Sequence, residues 1–146
     1  MGEVNPYLIT RMQDHQFSIF AEMSILAAET NAINLGQGFP DTDGPKKVTE
    51  AAIQAIRDGC NQYPPDKGIE QLRTAVAEHQ RRFYSQIVDP EDVVISTGAA
   101  ESLSAATLAL VSPGDEVVLF EPYFDLYASC ISLAGGLRRT VTLREP

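Results

Sequence analysis

Apolar residues change their rhythm twice along this chain. Up to Gly44 they fall at mixed spacing: Phe17, Ile19, Phe20, Met23, Ile25 and Leu26 predict a helix over 17–30, and Ile33 to Leu35 a short extended stretch. The segment Gly36-Gln37-Gly38-Phe39-Pro40-Asp41 then breaks regular structure. From Pro45 the spacing becomes helical. Val48, Ala52, Ile53 and Ile56 line one face, proline is tolerated in a first turn, and Gly59 lies just past the end. A loop carrying Asn61-Gln62-Tyr63-Pro64-Pro65 follows. A second helical stripe, Ile69, Leu72, Val76 and Phe83, has arginine and glutamate on its other side.

After Asp89 the pattern alternates between short apolar runs and small-residue helices. Asp89-Pro90-Glu91-Asp92 is a turn, and β-branched Val93-Val94-Ile95 predicts a strand. Thr97-Gly98 leads into a helix over 99–111, which ends at the turn Ser112-Pro113-Gly114-Asp115. Val117 to Phe120 is continuously apolar, as in a strand buried on both faces. A helix over 123–133 stops at Gly135-Gly136, and 137–143 reads as a third strand. The order β-α-β-α-β specifies an α/β fold with a mostly parallel sheet. Three parallel strands alone would leave open edges.

Composition narrows the function. A chain of 146 residues fits one domain, and 44% hydrophobic with 21% charged residues excludes global disorder. The net charge of −9 argues against nucleic-acid partners, because no excess cation is available to displace counterions. No stretch reaches the roughly 18 apolar residues of a membrane span, and no basic face suits a membrane surface. The first 11 residues lack signal-peptide order, so the expected location is cytoplasmic. Cys60 and Cys130, like His15 and His79, are too dispersed for a metal site.

Four segments could carry chemistry. In Ser96-Thr97-Gly98-Ala99-Ala100-Glu101 a strand feeds through glycine into a helix start, whose unpaired N–H groups and positive dipole end suit a phosphate. The same pattern also serves an ordinary strand-to-helix turn, and it is not a P-loop, since no Gly-Lys-Ser/Thr follows. Gly36-Gln37-Gly38 allows close ligand approach or a plain turn. Tyr123, Phe124 and Tyr127 follow the C-terminal end of a strand, where open α/β sheets bind ligands. Core packing of the next helix is the alternative for each. Tyr63, ahead of two prolines, could present its hydroxyl to a ligand or simply punctuate a loop.

Taken together these segments resemble one family, the class I/II aminotransferases of the aspartate-aminotransferase fold type. The carrying residues are Phe20-Ala21-Glu22-Met23-Ser24, Ile33 through Asp41, Asn61-Gln62-Tyr63, and Thr97 through Glu101. Pro113 through Val117, Glu121-Pro122-Tyr123-Phe124 with Tyr127, and Ala134-Gly135-Gly136 complete the series. The nearest subgroup is similar to kynurenine/glutamine transaminases, methionine aminotransferases and N-succinyldiaminopimelate aminotransferases. The resemblance runs from Phe17 onward and implies the first third to two fifths of such an enzyme. It implies residues 1–45 as an N-terminal arm and substrate-side loop. Residues 46–146 would begin the large domain of a fold type I pyridoxal-phosphate-dependent transferase.

The resemblance implies roles residue by residue. Backbone N–H groups of Gly98, Ala99 and Ala100 would cup the phosphate of pyridoxal 5′-phosphate, and Phe124 would stack on its pyridine ring. Tyr63 would reach the cofactor phosphate of a partner subunit in a homodimer. The Gly38 backbone would lie beside the substrate carboxylate, and Tyr127 would line the pocket. In kynurenine-type relatives a bulkier residue often stands where this chain has Ala100. The implied reaction moves an amino group between an amino acid and a 2-oxo acid. It needs a Schiff-base lysine, an aspartate facing the pyridine nitrogen and an arginine gripping the α-carboxylate. Lys46, Lys47 and Lys67 all precede the phosphate segment, in the wrong order for that lysine. No catalytic residue is therefore assigned, and these 146 residues alone are expected to be inactive. The alternatives are a non-catalytic α/β domain binding an anion or the cofactor, one half of a split enzyme, or part of a fold-sharing carbon–sulfur β-lyase.

Overall fold

The computed structural model describes residues 5–15, 18–38 and 40–145. Phe17, at the start of the first predicted helix, and Phe39, within the first glycine motif, lie outside them.

The described residues form two compact units, one comprising Met1–Gly38 with Gly98–Pro146 and the other Phe39–Thr97. The first opens with a 3-10 helix, Thr10–His15, followed by α1, Ile19–Thr30. The Ser18 side chain caps α1 by accepting from the Phe20 N–H, and Asn31 ends it in the left-handed conformation. In the second unit α2 spans Lys46–Arg57 and α3 Glu70–Tyr84. A 3-10 turn, Pro90–Asp92, begins with Asp89 accepting from the Glu91 N–H.

Back in the first unit, α4 (Gly98–Leu110), β1 (Glu116–Glu121), α5 (Asp125–Ala134) and β2 (Leu137–Thr142) follow in order. β1 and β2 are parallel, with Glu116 opposite Leu137 and Glu121 opposite Thr142, and α5 is their crossover. The core of this unit sits on α5, where Ala128, Cys130 and Ile131 are buried. The crossover is tightly drawn at Gly136, where a Cβ would stand 2.8 Å from Val111 Cγ1 and 3.1 Å from Ile131 Cγ2. No described helix is long and apolar enough to cross a membrane.

The α/β class and the parallel pairing agree with the sequence pattern, but two expectations fail. Val93-Val94-Ile95 is extended and joins no sheet. Its Ile95 N–H donates instead to the Lys67 carbonyl at 2.9 Å, so the backbone is satisfied by a loop and not by a strand. β1 is not buried on both faces either. Val117 and Leu119 turn toward α4 and α5, with which they line one apolar groove, while Val118 and Phe120 remain exposed. Helices cover a single face, so a continuous apolar run acquires alternating burial. Ile33 to Leu35 belongs to no strand, and Ile33 and Leu35 are exposed.

Candidate functional site

Gly98 is the first residue of α4 and has a φ of +81°. That left-handed conformation redirects the incoming chain into a 13-residue helix, and only glycine adopts it without strain. A Cβ built at Gly98 would meet nothing within 4 Å, so there is open space beside the turn. Ala99 and Ala100 continue the exposed first turn, and Ala100 faces the aromatic residues that follow β1.

Those aromatics are placed by the strand end and the start of α5. The Glu121–Pro122 peptide is cis, and Phe124 is the N-cap residue of α5. Phe124 is 44% exposed, with the edge of Tyr127 against it at 5.9 Å between centroids. Phe20 of α1 also packs against it, tilted, at 5.7 Å between centroids. Phe20, Ala100 and Phe124 share a concavity of about 270 Å³ with His15, Ser18, Asp125, Leu126 and Ser129. Ala100, the last residue of the predicted phosphate turn, and Phe124, the predicted ring-stacking residue, thus line one hollow. Tyr127 contacts Phe124 but lines the neighbouring apolar groove with Leu103 and Cys130.

Gly38 lies in the loop between α1 and α2, and the part of that loop next to α1 is tied down by a polar cluster. Asn34 accepts from the Gly36 N–H at 2.9 Å and donates to Ser24 Oγ at 3.2 Å. Ser24 in turn donates to the Phe20 carbonyl at 2.8 Å and lies 3.3 Å from Gln37 Oε1. These bonds hold Gly36 and Gln37 on the helix that carries Phe20. A Cβ at Gly38 would meet nothing within 4 Å. Tyr63 belongs to the other unit, on the loop between α2 and α3, and its side chain is fully exposed.

Phe20 and His15, which both line this hollow, carry no site role in the sequence reading. Phe20 counts there only as a helix residue and part of a family motif, and His15 only as a histidine without a metal partner. Helical spacing marks Phe20 as apolar, but nothing local distinguishes a core contact from one made with Phe124. Among the described residues no group of three or more His, Cys, Asp or Glu could hold a metal ion.

The family model described as aminotransferase class I and II matches residues 30–146. The chain is 48% identical over 136 residues to the probable N-succinyldiaminopimelate aminotransferase of Mycobacterium tuberculosis, covering 92% of this chain and 34% of that protein. It is 44% identical over 130 residues to the methionine aminotransferase of Escherichia coli, covering 88% and 34% respectively. The solved structure of the M. tuberculosis N-succinyldiaminopimelate aminotransferase superposes with a TM-score of 0.88 at 46% identity, over 95% of this chain and 36% of that one. The chain therefore spans about a third of the length of the curated relatives it matches. A family model that takes in the loop of Gly38, the turn of Gly98 and the aromatics after β1, together with this superposition, establishes that the chain belongs to the class I and II aminotransferases.

Proposed function

We propose that this chain forms the phosphate- and ring-binding part of a pyridoxal 5′-phosphate-dependent aminotransferase that works as a cytoplasmic homodimer. The observation that carries this reading is that Ala100, in the first turn of α4, and Phe124 line one concavity within one unit. The residues present fit the cofactor. A 13-residue helix opens at a glycine with open space beside it, and a half-exposed aromatic ring shares a hollow with Ala100 of its first turn. When bound, pyridoxal 5′-phosphate supplies an electron sink that lets an amino group pass between an amino acid and a 2-oxo acid.

Each residue then has a task that its own position supports. Gly98, Ala99 and Ala100 hold the phosphate through backbone N–H groups at the positive end of α4. Phe124 covers the pyridine ring, and Phe20 and Tyr127 pack against Phe124. Gly38 offers its backbone to the substrate carboxylate, and the Asn34–Ser24 cluster sets where its loop lies. Tyr63, fully exposed, reaches the phosphate site of a partner subunit. Residues 1–45 act as arm and substrate-side loop, and 46–146 as the start of the cofactor-binding domain. Relatives named for N-succinyldiaminopimelate, methionine and kynurenine define the donors to try.

The test is a cofactor titration on the full-length protein, followed by absorbance, with half-reactions on those donors. Gly98→Ala adds left-handed strain of about 1–2 kcal/mol at the phosphate turn, and we expect cofactor affinity to fall about tenfold or more. Phe124→Ala removes the aromatic face and should weaken binding by about tenfold. Unchanged affinity in both variants would remove the assignment of this hollow.

A further inference from the structure

Contacts between the N-terminal segment and α5 step in opposite directions along the two elements. Arg11 Nε donates to the Leu133 carbonyl at 3.3 Å. His15 Nε2 lies 2.9 Å from Ser132 Oγ, and its Nδ1 lies 3.3 Å from Ser129 Oγ. Ser18 Oγ donates to Asp125 Oδ2 at 3.2 Å, and Phe20 packs on Phe124. Asp125, Ser129 and Ser132 sit at i, i+4 and i+7, so they form one polar stripe down a single face of α5. The opposite arrangement, an apolar stripe, would receive an N-terminal segment in several registers. A histidine gripped by two hydroxyls accepts only one.

The chemistry of the grip is directional. A neutral imidazole has one donor and one acceptor nitrogen, so one serine donates to the ring while the other accepts from it. Ser129 has a single hydroxyl proton, and the Asp125 carbonyl stands 3.4 Å away as a second acceptor for it. When Ser129 gives its proton to that carbonyl, Nδ1–H donates to Ser129 and Nε2 accepts from Ser132. His15 is half-buried and lines the same hollow as Ala100 and Phe124.

We infer that His15 is a positioning residue for the Phe124 site. By bracketing Ser129 and Ser132 it sets the register of the N-terminal segment on α5 and so holds Phe20 against Phe124. The consequence for substrate handling rests on the aminotransferase reading above, whereas the docking itself does not.

The experiment compares full-length wild type with His15→Ala, His15→Gln and Ser132→Ala. Hydrogen exchange of amides 10–15 reports docking, with α3 amides as the internal control. Steady-state kinetics with the best of the named donors and 2-oxoglutarate report positioning. Two such hydrogen bonds together shift the docked population about tenfold. His15→Ala should therefore raise exchange at 10–15 by about that factor, leave α3 unchanged, and raise the donor KM more than it lowers kcat. His15→Gln keeps an amide donor and acceptor and should restore most of both. Ser132→Ala removes one bond only, and should give a smaller change of the same kind even if His15→Ala folds poorly. Unchanged exchange in both His15→Ala and Ser132→Ala overturns the docking. Raised exchange with KM and kcat unmoved in an active enzyme overturns the positioning role. A wild type without transamination overturns the proposed function instead, and the exchange response then decides the docking alone.

Discussion

In the unit of residues 39–97, α3 buries an arginine and an alanine, Arg73 and Ala77. In the other unit, α5 buries Ala128, Cys130 and Ile131. Arg73 Nη1 donates to the Pro90 carbonyl at 2.7 Å and to Glu91 Oε1 at 2.8 Å, and Lys67 Nζ donates to the Glu91 carbonyl at 2.8 Å. Charge-assisted bonds to one turn therefore organise the first region, together with a close approach of Gly68 to Ile95. The second region rests on apolar helix packing and a parallel ladder, with the candidate site at its strand end and helix start. The proposed site for a ring and an anion lies on the region with regular ladder and packed helices. The region stitched by polar contacts carries the exposed Tyr63.

The comparison can be broken at its tightest point first. A Cβ at Gly68 would stand 2.5 Å from Ile95 Cγ1 and 2.7 Å from Ile95 Cβ, at a φ of +93°. Strain and overpacking together should make Gly68→Ala cost about 4 kcal/mol. Hydrogen exchange should rise across α3 and 90–95. Ile131→Ala, at a side chain only 3% exposed, should cost about 3 kcal/mol, with exchange rising in α4 and α5. Equal exchange increases in both regions for either variant would mean that they unfold as one cooperative body.

The smallest effect sharpens the polar side of the contrast. The Arg73 guanidinium, by its hydrogen bond and then by its charge, holds the Glu91 carboxyl below the usual carboxylate range, and Lys67 adds to this. A carboxyl lowered by folding stabilises the fold above its unfolded pKa, and that contribution disappears as pH falls through the folded pKa. Denaturant midpoints of wild type and Glu91→Gln should therefore differ at neutral pH and converge in acid. Because Glu91 is exposed, the gap should be modest and shrink with added salt. A gap independent of pH would assign the effect to packing and not to the ion pair.

Much of this was legible in the residues themselves. Helical periodicity located α2 and α3 to within a residue or two, because each carries its apolar positions on one stripe. It could not say what covers α2, whose Val48 and Ile56 remain exposed. The Gly98 turn was legible because a glycine followed by a run of small residues marks the start of a helix by local rules alone. Phe20 and His15 were not, because their roles exist only through partners more than a hundred positions away on α5.

The sequence by itself determined the order of the helices and of β1 and β2, the α/β class, the family and the candidate residues for a phosphate or a ring. Those follow from local rules: side-chain period, glycine at left-handed turns, and helix ends with unpaired amides. Only the tertiary structure decided that Val93–Ile95 pairs with a loop, that β1 is covered on one face, and that His15 and Phe20 close on α5. Such outcomes depend on which distant segments compete for the same backbone groups and surfaces, and no local pattern encodes that competition.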